Sequence, residues 1–227
     1  MKRWLILLTC VMVLGFSAEV KAKSKGVDVV RGSVAEGKGK KFRLFILSGQ
    51  SNMAGLDHRN FVLPNLEKAF AGDEILIVKW SKGGQPIKNW MKGGKTQAFY
   101  TNLMNMVKKE LGGRKPDSVS FMWMQGEADA KREDPKLYQP ALTNLINQIR
   151  KDTGHKDATA VIGRLNKHSD SKGWNAIRDA QVATAKADPK VGWIDLDDLG
   201  KGLHYKKDGY QKMGARFVET TVKLLAP

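Results

Sequence analysis

Cysteine is nearly absent from this chain. Its 227 residues hold one, Cys10, and that one lies in an apolar N-terminal stretch. The rest of the sequence has no disulfide framework and no thiolate metal site. Histidine is scarce too: His58, His155, His168 and His204 are the whole set. No two of them stand at metal-ligand spacing with a carboxylate, so neither a metal nor another cofactor is expected. Acidic residues number 23 against 39 Lys and Arg, which leaves a formal charge of +16. Such a chain attracts polyanions. Its lysines, among them Lys38, Lys40, Lys41, Lys92, Lys95, Lys108 and Lys109, are scattered rather than interleaved with aromatics. No nucleic-acid motif accompanies them, so a solvated basic surface is expected and nucleic acid is not.

Long apolar runs are also missing, apart from residues 4–16. That run is too short to span a bilayer. Lys2 and Arg3 precede it and Val20-Lys21-Ala22 follows, the order of a cleaved secretory signal peptide. Residues 1–22 are read as that signal, with cleavage after Ala22 or, alternatively, near Ser17 or Ala18. A lipoprotein signal at Leu7-Leu8-Thr9-Cys10 fits poorly, because few apolar residues precede the cysteine and threonine adjoins it. The expectation is an exported protein, periplasmic or secreted, with no stable membrane insertion after cleavage. Residues 23–40 lack periodicity and read as a flexible lead-in. Residues 41–227 show no repeat or linker and read as one domain.

Within that domain short apolar runs alternate with longer amphipathic ones. Candidate strands are 42–47, 75–80, 119–124, 161–165 and 193–196; candidate helices are 98–111, 135–151, 173–187 and 207–225. Asp134 and Pro135 mark the start of the second helix, whose Leu142, Leu145, Ile146 and Ile149 fall on one face. The alternation predicts an α/β fold with a five-stranded parallel sheet and helices on both faces. The loops after the strands then gather at one end of the sheet, where ligands bind.

Those loops carry compatible chemistry. Gly49-Gln50-Ser51-Asn52 follows the first strand, Ser81-Lys82-Gly83-Gly84 the second, Gln125-Gly126-Glu127-Ala128-Asp129 the third, and Gly202-Leu203-His204-Tyr205 the fifth. Singly, each has an ordinary structural explanation. Ser51 is a good helix cap, Gly83-Gly84 a turn, Glu127 and Asp129 solvated acids, and His204 an exposed histidine. Together they supply what acyl transfer needs: a hydroxyl nucleophile, an imidazole to carry its proton, a carboxylate to orient the imidazole, and amide donors for an oxyanion. The serine is not in a Gly-x-Ser-x-Gly elbow, because Met53 occupies the second glycine position.

The pieces Gly49-Gln50-Ser51-Asn52-Met53, Gly83-Gly84 with Trp90, 123–129 (Trp-Met-Gln-Gly-Glu-Ala-Asp), and Leu203-His204-Tyr205 with Gly209-Tyr210 and Gly214 carry a resemblance. Over residues 42–220 the chain resembles the SGNH-hydrolase superfamily, in its sialate O-acetylesterase and carbohydrate esterase family 6 branch. The resemblance implies a three-layer, flavodoxin-like α/β/α sandwich. It also implies a serine esterase that removes O-acetyl groups from carbohydrates, of acetylxylan or sialate type, through an acetyl-serine. Residue by residue, Ser51 matches the nucleophile and His204 the base. Gly84 (or Gly83, one step away), Gln125 and the Ser51 N–H match the oxyanion hole. One position departs: where the family has an aspartate three residues before the histidine, this chain has Lys201. Glu127 is then the first candidate for the orienting acid, with Asp198 and Asp197 behind it. A serine–histidine dyad oriented by a backbone carbonyl is the remaining alternative.

Two other functions compete. A carbohydrate-binding protein on a weakened esterase scaffold would use Trp80, Trp90 and Trp123 to stack on sugars, although Trp123 suits the core better. An SGNH lipase or thioesterase would need an apolar acyl pocket, and no insertion supplies one. The partner expected is an O-acetylated oligo- or polysaccharide; the positive charge suits an acidic one, and a neutral xylan fits equally. Of the remaining histidines, His58 is expected exposed or at the cleft, His155 solvated, and His168 near the same sheet edge.

Overall fold

The computed structural model describes residues 27–32, 40–91, 98–132 and 135–226. The signal stretch 1–22, Asp134, Lys92 and Lys95 lie outside the described residues.

Six strands form one sheet, not five. They are β1 (Val27–Arg31), β2 (Phe42–Gly49), β3 (Glu74–Ser81), β4 (Ser118–Met124), β5 (Thr159–Gly163) and β6 (Val191–Ile194), in the order β1-β3-β2-β4-β5-β6. β2 to β6 are parallel, and β1 pairs antiparallel with β3, Asp28 opposite Lys79. The extra strand comes from the expected lead-in. Residues 27–31 pair along β3, so that part of 23–40 is an edge strand.

Eight α-helices accompany the sheet among the described residues. They are α1 (Ser51–Gly55), α2 (His58–Phe61), α3 (Leu63–Ala69), α4 (Ala98–Leu111), α5 (Asp129–Arg132), α6 (Tyr138–Thr153), α7 (Lys172–Lys186) and α8 (Lys207–Leu225). The expected start of α6 at Pro135 is a single 3-10 turn, Pro135–Leu137, before the helix proper. α2 and α3 pack with α8; α6 packs on α7 and, like α4, against the 3-10 turn Ile87–Trp90. Covered on both faces, β2 needs no alternation: Leu44, Phe45, Ile46 and Leu47 are all fully buried. None of the described helices is long and apolar enough to cross a membrane.

The topology places the site. From β2 the chain crosses outward to β3, and from β3 it returns past β2 to β4. The loops leaving β2 and β4 diverge at this reversal and open a crevice at the strand tips. Gly49, at the end of β2, pairs with Ser81 of β3 and Met124 of β4, so three loops start side by side.

Candidate active site

The turn after β2 is built on close backbone approach. Gly49 has φ +143°, and a Cβ there would stand 2.0 Å from the Met124 carbonyl oxygen. The Gln50 N–H donates to that carbonyl at 2.9 Å. Only glycine lets the two strand tips meet this tightly. Gln50 is the N-cap of α1 and makes no side-chain capping bond. Ser51 is therefore the first residue of the helix rather than its cap. Its own N–H belongs to the first turn, where no intrahelical acceptor exists.

His204 reaches Ser51 from the loop after β6. Its Nε2 lies 3.0 Å from Ser51 Oγ, within reach for proton transfer. Gly83 comes close on the other side: a Cβ there would be 3.6 Å from Ser51 Cβ. Gly84 takes φ +68° with open space around it. Ser51, Gly84, Glu127, Lys131, Leu203 and His204 border a cleft of about 270 Å³. This is small beside the ~300–1,000 Å³ of ordinary ligand pockets.

The orienting acid expected at Glu127 is not in place. Glu127 is 3% exposed, and its Oε1 accepts from Asn52 Nδ2 at 2.7 Å. Its Oε2 is buried without a partner. The second candidates are engaged elsewhere: Asp198 with Arg216 at 2.6 Å, and Asp197 with Arg178 at 2.7 Å and Arg164 at 2.8 Å. Among the described residues no carboxylate lies within ion-pair distance of His204, and its hydrogen bond is the one to Ser51. Ser51 is thus paired with an exposed imidazole that no acid among the described residues orients. No backbone carbonyl is bonded to the ring either, so the carbonyl alternative lacks its contact among the described residues.

The loop that bears His204 is held instead through its main chain. Asn166 Nδ2 donates to the Gly200 and Gly202 carbonyls at 2.6 and 3.0 Å. His168 Nδ1 donates to the Lys201 carbonyl at 3.0 Å. Asn52 Nδ2 donates to the Leu203 carbonyl at 2.9 Å, while Tyr210 donates to Asn52 Oδ1 at 3.1 Å. Asn52 thus links the Glu127 carboxyl to the Leu203 carbonyl, one residue before His204. Burial pushes the Glu127 carboxyl up to about 7, with the nearby Asp129 adding to the rise and the Asn52 bond opposing it.

The oxyanion donor expected at Gln125 is engaged elsewhere. It is fully buried, and its Nε2 is taken by Asp129 at 2.5 Å, the Gln85 carbonyl at 3.1 Å and Gln50 Oε1 at 3.3 Å. An amide so engaged has no N–H left for an oxyanion. It ties the β2, β3 and β4 loops together, helped by Asp129, which accepts from the Ile87 N–H at 3.0 Å. Ser51 and Gly84, each with a backbone N–H, border the cleft instead.

The tryptophans do not face sugar. Trp90 and Trp123 are fully buried and Trp80 is 8% exposed. Trp90 stacks edge-on against both neighbours and donates to Ser48 Oγ at 3.0 Å. His58 is buried too, against Asp28 at 3.6 Å, and burial with the nearby Lys79 charge lowers it to about 4. His155 is half-buried, with Nε2 shielded. No group of three or more potential metal ligands occurs among the described residues. Sequence reasoning missed Asn166 and the bridging role of Asn52. The signal for Asn166 was its place just after a strand, where the other site loops begin.

A doubly wound sheet with a serine–histidine pair at its reversal point has the geometry for acyl transfer. The chain belongs to the family described as carbohydrate esterase, sialic acid-specific acetylesterase, whose model matches residues 59–223. It is a carboxylic ester hydrolase. The matched span includes the Gly83-Gly84 turn, Glu127 and His204 and begins just after the Ser51 turn. Among solved structures, a protein from Arabidopsis thaliana superposes with a TM-score of 0.64 at 20% identity, covering 80% of this chain and 98% of that one. A carbohydrate acetylesterase from Xanthomonas citri gives 0.61 at 20% identity, with 77% of this chain matching 54% of the longer protein. NanS gives 0.61 at 12% identity over 81% and 97%. At these identities the likeness is one of fold. No curated protein matches the sequence.

Proposed function

We propose that the protein is an exported serine esterase that removes O-acetyl groups from carbohydrates through an acetyl-Ser51 intermediate. The observation that carries this reading is the 3.0 Å contact between Ser51 Oγ and His204 Nε2 at the mouth of the small cleft. His204 takes the serine proton as Oγ attacks the acetyl carbonyl. The resulting oxyanion is stabilised by the N–H groups of Ser51 and Gly84, each such donor being worth ~3 kcal/mol. When the intermediate collapses, the sugar oxygen leaves with the proton from His204. Water then attacks acetyl-Ser51, His204 takes its proton, and acetate leaves as Ser51 recovers its own. No cofactor enters these steps.

Cleft size favours acetyl over long acyl groups, which argues against a lipase. The buried tryptophans and the engaged serine argue against a sugar-binding protein without turnover. The borders of the cleft include Lys131, which suits an acidic glycan without requiring one. Ser51→Ala should abolish acetate release from O-acetylated sugars and p-nitrophenyl acetate; unchanged turnover in that variant would sink the reading. N-terminal sequencing of the protein recovered outside the cytoplasm should begin near residue 23, and an intact Met1 there would overturn export by a cleaved signal.

A further inference from the structure

Lys79 is a buried lysine that neither the core nor the proposed chemistry explains. It lies on β3, 5% exposed, in a strand whose neighbours Ile77 and Val78 are fully buried. Its Nζ donates to the Leu56 carbonyl at 2.7 Å and the Ala54 carbonyl at 3.2 Å. Those carbonyls end α1, the helix that begins at Ser51. Among the described residues no carboxylate stands within ion-pair distance of the ammonium. Asp28 of β1 is committed to Arg59 at 2.5 Å, and Asp57 accepts from Asn60 at 2.7 Å.

A buried cation held by carbonyls alone is costly to keep. The helix it serves is weak. α1 has five residues, no side-chain cap and no basic residue of its own in its last turn. So short a helix is not stable by itself. A cation at the C-terminal end complements both the unpaired carbonyls and the helix dipole. The other end of α1 is set by the Gly49 approach to β4, so the helix is gripped at both ends.

We propose that Lys79 is a positioning residue for catalysis: its ammonium clamps the C-terminal carbonyls of α1 and thereby sets the direction of Ser51 Oγ toward His204. It touches neither substrate nor the reacting atoms. The inference rests on Ser51 being the nucleophile and adds the residue that aims it. Burial lowers the Lys79 ammonium to about 8, with Asp28 and Asp57 opposing, so the clamp weakens in mild alkali. The charged and titratable groups facing it are Asp28 on β1, Asp57 before α2 and His58 on α2. His58 stays neutral in that range.

The test compares Lys79→Met, which keeps the volume and removes the donors, with Lys79→Gln, which keeps an N–H. Both are made in the full chain and assayed on p-nitrophenyl acetate and with a fluorophosphonate probe. A misaimed nucleophile costs roughly tenfold to hundredfold in rate. Lys79→Met should lose that much in kcat and in labelling of Ser51, with KM nearly unchanged and the melting temperature kept. Lys79→Gln should recover part of the loss. A folded Lys79→Met with full kcat, or a variant whose only defect is a lower melting temperature, overturns the inference. If neither variant folds, the wild-type enzyme decides: labelling should slow as pH rises through about 8, and labelling that holds or quickens there overturns the clamp. Failure of the underlying reading looks different, because Ser51→Ala would then still release acetate.

Discussion

Ser51 is flanked by the buried Gln50, Asn52 and Met53, whereas His204 sits on an exposed loop. The Ser51 side is anchored from within: Gly49 against the Met124 carbonyl, Gln50 against Ala128 and Gln125, Lys79 under the end of α1. Among the described residues the His204 loop is anchored by its main-chain carbonyls, through Asn52, Asn166 and His168. The fold fixes where the loop runs and leaves the ring to the serine. In a reference protease, loss of the correct orienting acid costs ~10⁴ in rate. The two halves of this site therefore differ in how firmly each holds its reacting group.

Breaking either half outright gives the largest effect. His204→Ala should lower kcat on p-nitrophenyl acetate by roughly 10⁴ or more, close to the loss in Ser51→Ala, because paired groups fail together. A His204→Ala enzyme within tenfold of wild type would remove the base from the account. Loosening the base side without touching it comes next. Asn52→Leu deletes the bond to the Leu203 carbonyl and should cost roughly 10²-fold in kcat with KM little changed. A rise in KM with kcat intact would instead place Asn52 in substrate binding.

Adding what the base side lacks sharpens the contrast. Lys201→Asp returns a carboxylate to the position three residues before His204, and kcat should rise by roughly tenfold, a small part of the orienter's worth elsewhere. No gain would mean that ring orientation does not limit turnover. The smallest effect is on stability. Burial raises Glu127 from 4.5 to about 7, so the folded state holds a proton that the unfolded chain has lost between those values. Stability then falls as pH rises through that window. Glu127→Gln keeps an acceptor for Asn52 and removes the titration, so wild-type melting temperature should drop relative to this variant from pH 4.5 to 7. His58, lowered to about 4, acts in the opposite sense but is common to both proteins and cancels. Parallel melting curves across that window would show that Glu127 is charged in the fold.

Much of this comparison was legible before the fold was known. The strand tips follow from apolar runs that stop at small residues, and the tips of β2, β3 and β4 align as parallel pairing requires. β1 was not legible: Asp28 and Arg31 break its apolar run, and an edge strand needs only one partner. α2 and α3 are too short for a helical period to stand out. Gln125 was misread because an amide after a buried strand looks the same whether it serves an oxyanion or the core. Only the positions of Asp129 and the Gln85 carbonyl separate the two. Glu127 was misread for a similar reason, since loop proximity did not reveal that Asn52 stands between it and the histidine loop. Lys79 lay within a candidate strand, and nothing local marks where its ammonium ends.

The central claim is that Ser51 carries the acetyl group during turnover. Rapid acid quench of the enzyme during hydrolysis of p-nitrophenyl acetate, followed by peptide mass spectrometry, tests it directly. The account predicts a single acetyl on the peptide containing Ser51, absent from Ser51→Ala. Acetate release at full rate with Ser51 never acetylated would contradict it.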